Sequence, residues 1–418
     1  MKKYIILGWC GGMGGGNIYT KNKCEAARLA GWEPVVIHFS SREVFLKELK
    51  VYQDNRVKEM LNPPCFYTRR QQKRIIGRFV DLVNPLMGDE FFVESNGIRN
   101  AYWGELLAKR LNCKHFAFVL EYFFPWHDDN LDYLLFKLNR NELSGISTKN
   151  MMELFNNRKG INYEDIPIMH ASCSNSVDDA EDDAIGVDYS KYDIIIGNIG
   201  RSSKPYVESL GPEILKFAKK HCDKNILFII IGGEKESLIA KQQSALFQDA
   251  PNLDYVNTGF IFPIPQIILN HLDVAIASGG CIGIGVRNGV KTITYADNDT
   301  LPYGVMGYDI KDKNLQLIEH CGLSLNDLLE GVLFESYCDK FEYKQLYDNA
   351  PSHDQTMNTL IKDIEYMTSA ESKEYYDTAK IYPQNNLYKF YIRTIGGVIP
   401  MSSIISIVNI LGITERFS

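Results

Sequence analysis

The chain lacks an excess of basic residues. Its 418 residues include 45 Lys and Arg against 52 Asp and Glu, which gives a formal net charge of −7. A protein that binds nucleic acid in general usually presents a basic surface. The composition therefore predicts no nucleic-acid partner, although it leaves room for a local basic groove.

Paired cysteines are also lacking. The nine cysteines are an odd number, they are scattered, and no two are spaced as CxxC. Disulfide frameworks and structural zinc sites need such pairing. The pattern predicts a reduced chain in the cytoplasm, without a disulfide framework and without a metal.

No long apolar segment follows the first residues. The apolar stretch 4–7 is too short for the core of a signal peptide and runs directly into glycines, so we interpret it as a strand. Residues 394–414 carry no charge and are long enough to span a bilayer, but Pro400 and several polar residues weaken that interpretation. They favour a buried terminal helix, and a helix on a membrane surface is the alternative.

What the chain does have is an alternation of apolar strands and helices, including a predicted helix over residues 264–272. Strands separated by helices of this length predict right-handed crossovers and parallel sheets, hence an α/β fold. The length suggests two domains and a tail. We place the domains at residues 1–185 and 186–370, with an acidic stretch before the boundary, and a C-terminal helical tail at residues 371–418.

Two glycine-rich loops each follow a predicted strand. The first is residues 11–16, and the second is Gly200-Arg201-Ser202-Ser203-Lys204. Glycines after a strand let backbone N–H groups approach an anion, and the helix that follows adds its positive end. Arg201 and Lys204 could neutralise a diphosphate. Two such half-sites suggest two lobes that close on one phosphorylated ligand.

The order of these segments resembles the GT-B glycosyltransferases, especially the retaining family 4 enzymes that build bacterial polysaccharides. The resemblance covers most of residues 1–297. It rests on the first glycine loop with Gly31-Trp32-Glu33-Pro34-Val35, the unit Phe91–Glu121, the pair Arg201 and Lys204, and the segment Asp273–Thr292.

The resemblance implies two Rossmann-like lobes that face a cleft, with a C-terminal helix that packs back on the first lobe or touches membrane. It implies transfer of a sugar, with retention, from a nucleotide diphosphate sugar to a glycan or lipid-linked acceptor. The setting it implies is surface polysaccharide or glycolipid synthesis at the inner face of the cell membrane. No cofactor beyond the donor substrate is implied.

The resemblance also implies site residues. The catalytic candidates are Glu121, Arg201 and Lys204, and the acceptor-binding candidates are Asn96 and His127. The donor-binding candidates are Gly14, Gly15, Gly16, Gly232, Gly233, Phe260, Ile261, Ser278, Gly279 and Gly280.

Each candidate has a structural alternative. Arg201 and Lys204 could be solvated cations, Ser278 could cap a helix, and Phe260 and Ile261 could be core residues. Glu121 could be a paired structural carboxylate and His127 a surface histidine. His115 lies inside a predicted strand, where we expect it to pack.

The sequence departs from the family in two places. The family often carries two Glu residues eight positions apart near the donor sugar, but residues 278–289 contain no Glu, and Ile284 stands where the second is expected. Glu121 stands near the place of a family His. Two other functions therefore stay open, a sugar-nucleotide 2-epimerase of the same fold and a non-catalytic subunit of a transferase complex.

A basic stretch lies within a predicted helix. Arg70, Lys73, Arg74 and Arg78 share one side at helical spacing, beside Arg69. The stretch could meet anionic lipid or a lipid-linked diphosphate. A solvated helix face is the alternative.

Overall fold

The structure, a computed structural model, describes residues 1–120, 131–173, 175–178, 185–296, 299–310, 319–337, 353–369, 374–378 and 381. The chain forms two compact units. The first takes the described residues of Met1–Gly12, Tyr19–Ser172 and His353–Ser418, and the second takes those of Met13–Ile18 and Cys173–Ser352. The domain boundaries predicted from the sequence, at residues 186 and 371, remain predictions.

The described strands are β1 (Lys2–Gly8), β2 (Glu33–His38), β3 (Glu90–Asn96), β4 (Lys114–Val119), β5 (Leu143–Gly145), β6 (Val177–Asp178), β7 (Ile194–Ile199), β8 (Ile226–Ile231), β9 (Leu253–Asn257), β10 (Ile264–Pro265), β11 (Val274–Ser278), β12 (Thr292–Tyr295) and β13 (Gly304–Val305). The described α-helices are α1 (Gly15–Leu29), α2 (Arg69–Val83), α3 (Ile98–Leu111), α4 (Leu131–Leu138), α5 (Thr148–Leu154), α6 (Pro205–Lys220), α7 (Leu238–Phe247), α8 (Gln266–Asn270), α9 (Ile282–Arg287), α10 (Leu325–Phe334) and α11 (His353–Ser369).

The first unit is built on a parallel five-stranded sheet in the order β2-β1-β3-β4-β5. Its strands are almost entirely buried, because helices cover both faces of a parallel sheet. The chain leaves β1 toward β2 on one side and later returns to β3 on the other. The carboxyl ends of β1 and β3 therefore flank the point where the strand order reverses, which is where open α/β sheets bind ligands.

Helix α1 is fixed to this sheet through a buried carboxylate. Glu94 on β3 accepts hydrogen bonds from the hydroxyls of Tyr4 at 2.5 Å and Tyr19 at 2.7 Å. The ammonium of Lys23 lies 3.7 Å from the same carboxylate. Since all four side chains are buried, these contacts satisfy groups that would otherwise be costly to desolvate.

A second buried charged group joins α3, β4 and α4. The Glu105 carboxylate lies 2.8 Å from His115 Nδ1 and 2.7 Å from the Lys137 ammonium, which also contacts Glu142 at 2.8 Å. His115 Nε2 lies 3.0 Å from the Ser95 hydroxyl. His115 is therefore a buried packing residue in its strand, as the sequence indicated.

The second unit has a six-stranded sheet in the order β13-β12-β11-β7-β8-β9, in which only β13 runs antiparallel to its neighbour. Apolar clusters cover its two faces. The chain leaves β7 toward β8 and later returns to β11 on the other side. The reversal of strand order therefore lies between β7 and β11.

One local prediction was wrong in detail. The sequence suggested a helix over residues 264–272, whereas Ile264 and Pro265 form a short strand paired with β6, and α8 covers only Gln266–Asn270. Pro265 has extended backbone dihedrals and is the N-cap residue of α8. No described helix has the length and apolarity needed to cross a membrane. The predicted tail helix lies outside the described residues.

Candidate functional site

The strand reversal of the second unit carries a lysine–serine pair. Lys204 follows β7, Ser278 is the last residue of β11, and the Lys204 ammonium donates to the Ser278 hydroxyl at 2.5 Å. Ser278 makes no side-chain cap bond to the helical turn after it, so the helix-cap alternative was wrong. Two predicted donor-site residues, 74 positions apart, are thus in direct contact.

The loop between β7 and α6 exposes a second cation. Arg201 is exposed, whereas Lys204 is half-buried and is the N-cap residue of α6. Pro205 takes the first helical position, where no backbone N–H is needed. The N-terminus of a 16-residue helix adds a partial positive charge beside the two cations. The arrangement is suited to an anion such as a diphosphate.

The loop after β8 packs closely on the loop after β7. The buried Ser202 hydroxyl donates to the Glu234 carbonyl at 3.3 Å and lies 3.1 Å from the Ser237 hydroxyl, which caps α7. Gly233 has a φ of +91°, and an added Cβ would lie 2.5 Å from Ser202 N. Only glycine fits there, so Gly233 is needed to hold the cation-bearing loop in place.

The loop after β9 is tied to the same edge. The Thr258 hydroxyl accepts from the Gly232 N–H at 3.1 Å and donates to the Gly259 carbonyl at 2.9 Å. Phe260 is half-buried, and Ile261 packs against the apolar cluster on one face of the sheet. Ile261 is thus partly a core residue. The binding of the donor by Phe260 and Ile261 stays a prediction.

The segment after β11, residues 279–289, exposes glycine backbone and contains no Asp or Glu. Gly279 and Gly280 are exposed, and an added Cβ at Gly279 would meet nothing within 4 Å. Ile282 and Ile284 are buried in the core of this unit. At the position where the resembled family carries its second Glu, this chain therefore has a packing residue.

The first glycine loop is divided between the units, with Gly11 and Gly12 in the first and residues 13–16 in the second. Residues 13–18 belong to that unit, and an added Cβ on Gly14 would lie 3.9 Å from an Arg201 guanidinium nitrogen. An added Cβ on Gly15 would lie 3.1 Å from the Cys173 side chain. Gly14 therefore lies near Arg201, and the binding of a diphosphate by the two residues stays a prediction.

The sequence analysis missed a buried polar residue on β7. Asn198 lies in the middle of the apolar strand β7, and its side-chain oxygen accepts from the Tyr206 hydroxyl at 2.8 Å. The Tyr206 ring stacks on Tyr295 with centroids 5.2 Å apart. An asparagine inside a run of isoleucines was the available signal, since such a residue needs a specific partner.

Asn96 is the one predicted acceptor-side residue that lies within the described residues, and it belongs to the first unit. Asn96 ends β3 and is buried, and neither atom of its amide has a hydrogen-bond partner among the described residues. Glu121 and His127 lie outside the described residues. The part of the chain that is described contains no group of three His, Cys, Asp or Glu side chains that could hold a metal ion.

The fold is shared with known glycosyltransferases. A glycosyltransferase from Rickettsia africae matches with a TM-score of 0.55 at 13% identity, over 88% of this chain and 98% of that chain. A variant of S. aureus TarM in complex with fondaparinux, α-GlcNAc-glycerol and UDP matches with a TM-score of 0.51 at 9% identity, over 88% and 99%. Apo OtsA matches with a TM-score of 0.50 at 11% identity, over 88% and 98%.

At such low identities, these structural similarities show the fold alone. The chain is an α/β protein with two Rossmann-like lobes, of the GT-B fold, as the sequence predicted. No protein-family model matches it, and no curated protein matches it in sequence.

Proposed function

We propose that the chain is a glycosyltransferase that moves a sugar from a nucleotide diphosphate sugar to a glycan or lipid-linked acceptor, with retention. The observation that carries the proposal is the contact between Lys204 and Ser278 at the strand reversal of the second sheet. Arg201 is exposed in the same loop, and Gly14 lies beside its guanidinium. Cations, a helix N-terminus and glycines at one sheet edge fit a diphosphate.

The chemistry follows from the charge that develops during transfer. The bond between the anomeric carbon and the diphosphate oxygen breaks, and its electron pair leaves with the phosphate. Arg201 and Lys204 stabilise that growing negative charge, because fixed cations act most strongly where charge develops in the transition state. The acceptor oxygen bonds to the anomeric carbon, and in the retaining route its proton passes to the departing phosphate.

The remaining predicted parts belong to the same proposal. Asn96, Glu121 and His127 serve the acceptor, and Glu121 orients it, since the departing phosphate takes the acceptor proton. A lipid-linked acceptor would bring the chain to the inner face of the cell membrane, where the exposed cations of α2 would meet anionic headgroups. Surface polysaccharide or glycolipid synthesis is the pathway proposed from the family resemblance.

The test is donor use by charge variants. We expect Arg201→Ala and Lys204→Ala each to lower the rate of donor consumption by about 10²–10³-fold, as for other lost transition-state contacts. Lys219→Ala is the matched control, since Lys219 is exposed near the opposite end of α6. The donors to try are UDP-, GDP-, ADP- and dTDP-sugars.

Equal turnover by the wild type and both variants would contradict the donor site. Product analysis with the donor alone separates the alternatives. Conversion to an epimeric sugar nucleotide without acceptor would indicate a 2-epimerase, and the absence of both hydrolysis and transfer by the purified chain would indicate a non-catalytic subunit.

A further inference from the structure

A tyrosine at the start of α6 is held from both sides of strand β11. The Tyr206 hydroxyl donates to the Asn198 side-chain oxygen on β7 at 2.8 Å. The Tyr206 ring stacks on Tyr295 of β12, with centroids 5.2 Å apart and an interplanar angle of 19°. Because β11 lies between β7 and β12, the two contacts reach across about 10 Å of the sheet. The first turn of α6 is therefore fixed at the end of the strand that carries Ser278.

This tyrosine contact and the lysine–serine pair share one face of the sheet. Asn198 lies two positions after Ile196, and Ser278 lies two positions after Ile276, so each side chain points to the same face as that isoleucine. Both isoleucines pack in the apolar cluster to which α6 contributes. Since β7 and β11 are paired, the bond of Asn198 lies on the same face as the bond between Lys204 and Ser278.

The loop that carries the two cations, residues 200–204, is short and is tied at both ends by one side chain. It connects Ile199, the last residue of β7, with Pro205, the first residue of α6. Gly200 opens the loop, and an added Cβ there would lie 3.4 Å from the Tyr206 hydroxyl. That hydroxyl is therefore close to the beginning of the loop and belongs to the helix that follows its end.

Asn198 contributes little to packing by itself. It is 0% exposed, and its Nδ2 has no hydrogen-bond partner among the described residues. A buried polar atom without a partner is destabilising, whereas replacing both members of a buried hydrogen bond with apolar groups of the same shape can be neutral or stabilising. A half-satisfied amide inside a strand rich in isoleucine therefore points to a role other than stability.

We propose that Asn198 and Tyr206 are positioning residues of the nucleotide site in the second unit. Their hydrogen bond fixes the start of α6, so that Arg201 and Lys204 keep the geometry that binds a diphosphate. Both residues are 0% exposed, so they act through the loop and not by touching the ligand. The identity of the ligand rests on the proposed function. Preorganised groups bind more tightly because less conformational freedom is lost on binding.

The experiment replaces the pair with apolar residues of similar shape, Asn198→Leu together with Tyr206→Phe, in the full chain. We expect the urea midpoint of unfolding to equal or exceed that of the wild type, because no amide is left without a partner. We expect the affinity for UDP, measured by isothermal titration calorimetry, to fall by about tenfold, because the cations are less well positioned. GDP, ADP and dTDP are titrated in parallel. A pair that served stability alone would lower the midpoint and leave the affinity unchanged.

The dependence on the lysine is tested in the Lys204→Ala background. There the double replacement should weaken nucleotide binding by a smaller factor than in the wild type, because part of what the pair positions is missing and the effects of coupled residues are not additive. An equal factor in both backgrounds would show that the pair does not act through Lys204 and would overturn the inference.

Tyr192→Phe is the matched control. The Tyr192 hydroxyl donates to the Asp254 carboxylate at 2.7 Å, but Tyr192 precedes β7 and so lies at the end of the strand opposite to the cation-bearing loop. Its loss should leave nucleotide affinity unchanged. Tyr206→Phe alone breaks the proposed bond with the smallest change of shape, and it should weaken binding in the same direction as the double replacement.

Two further results would overturn the inference: none of the four nucleotides binds the wild type, or the double replacement binds as tightly as the wild type. Failure of the proposed function is distinguishable. Nucleotide binding that depends on the pair, without sugar transfer, would uphold the positioning role and remove the transferase. Sugar transfer that depends on Arg201 but not on the pair would do the reverse.

Discussion

Lys204 shows how a single side chain is positioned by a distant strand. In the sequence it is one cation in a polar loop, and in the fold its ammonium donates to Ser278 at the end of β11. That bond holds a flexible side chain in one place at the reversal of the sheet. Positioning of this kind lowers the conformational entropy that binding would otherwise have to overcome.

Ser278→Ala tests this positioning. Removing the hydroxyl removes this hydrogen bond but keeps the charge of Lys204, so we expect UDP binding, measured by isothermal titration calorimetry, to weaken by severalfold but less than in Lys204→Ala. Ser203→Ala is the control, because Ser203 is exposed in the same loop. If the Ser278 and Ser203 variants bind UDP equally well, the lysine–serine bond has no role in binding.

Gly233 provides a stability prediction at the same scale. At its φ of +91° an alanine is strained, and its Cβ would lie 2.5 Å from Ser202 N. We expect Gly233→Ala to lower the free energy of unfolding by more than 1 kcal/mol. Gly77→Ala on α2 should instead raise it by up to about 1 kcal/mol, since that glycine is helical and an added Cβ would meet nothing within 4 Å. Urea unfolding of both variants would show opposite signs if the argument holds.

At the scale of elements, α2 separates an apolar face from a cationic one. Ile75, Ile76, Phe79 and Val83 are buried against the first sheet and its neighbours. Arg69, Arg70, Lys73 and Arg74 are all exposed, whereas Arg78 bonds both oxygens of the Glu59 carboxylate at 2.8 Å. The helix therefore exposes four cations to solvent, and the charge of the fifth, Arg78, is paired with Glu59.

We expect this face to bind anionic membranes. Each cation near such a surface contributes about 1 kcal/mol, so Arg70→Ala with Arg74→Ala should reduce partitioning into phosphatidylserine-rich vesicles by tenfold or more. Arg78→Ala, whose charge is paired, should reduce it less. Cosedimentation would measure the effect, and equal binding to purely zwitterionic vesicles would refute the electrostatic explanation.

The buried charges that join α3, β4 and α4 predict how stability depends on pH. Burial alone would raise the pKa of Glu105, but Lys137 and His115 hold it at about 2. Burial, together with the charge of Lys137, lowers the pKa of His115 below 6.5. Both groups bind protons more tightly in the unfolded chain, so their stabilisation is lost on acidification, below about 6.5 for His115 and between about 4.5 and 2 for Glu105.

Urea unfolding between pH 8 and pH 5 checks the histidine part. We expect the free energy of unfolding to fall with pH in the wild type and to fall less in His115→Gln. His353→Gln is the control because His353 is an exposed residue, and it should keep the wild-type dependence. A dependence unchanged in His115→Gln would show that other groups govern the acid response.

At the scale of the whole molecule, the two units place different polar groups at their strand reversals. The second unit offers cations and a helix N-terminus, and the first offers the buried amide of Asn96, which has no hydrogen-bond partner among the described residues. We therefore expect UDP to slow amide hydrogen exchange at residues 200–206 and 278–282 of the second unit more than at residues 95–97 of the first. Exchange mass spectrometry measures both regions, and stronger protection of residues 95–97 would contradict this assignment.

The fold was largely predictable because most of the sheet strands are buried and appear as continuous apolar runs separated by helices of ordinary length. The positions of the glycine loops and of Arg201 and Lys204 were predictable because these residues directly follow apolar runs that the sequence identifies as parallel strands. The role of Asn198 was not, because its partner Tyr206 belongs to helix α6, which packs on the sheet. The short α8 was predicted too long, since an apolar run does not by itself distinguish a strand from a helix.

The sequence alone determined the class of fold and which residue types lie at the ends of strands, because apolar periodicity and glycine conformation are local properties. Only the tertiary structure decided which strand ends are neighbours. The reversals between β1 and β3 and between β7 and β11 follow from the spatial order of the strands. That order depends on packing of both sheet faces across the whole chain, which is why the contact of Lys204 with Ser278 and of Tyr206 with Tyr295 could not be seen in the sequence.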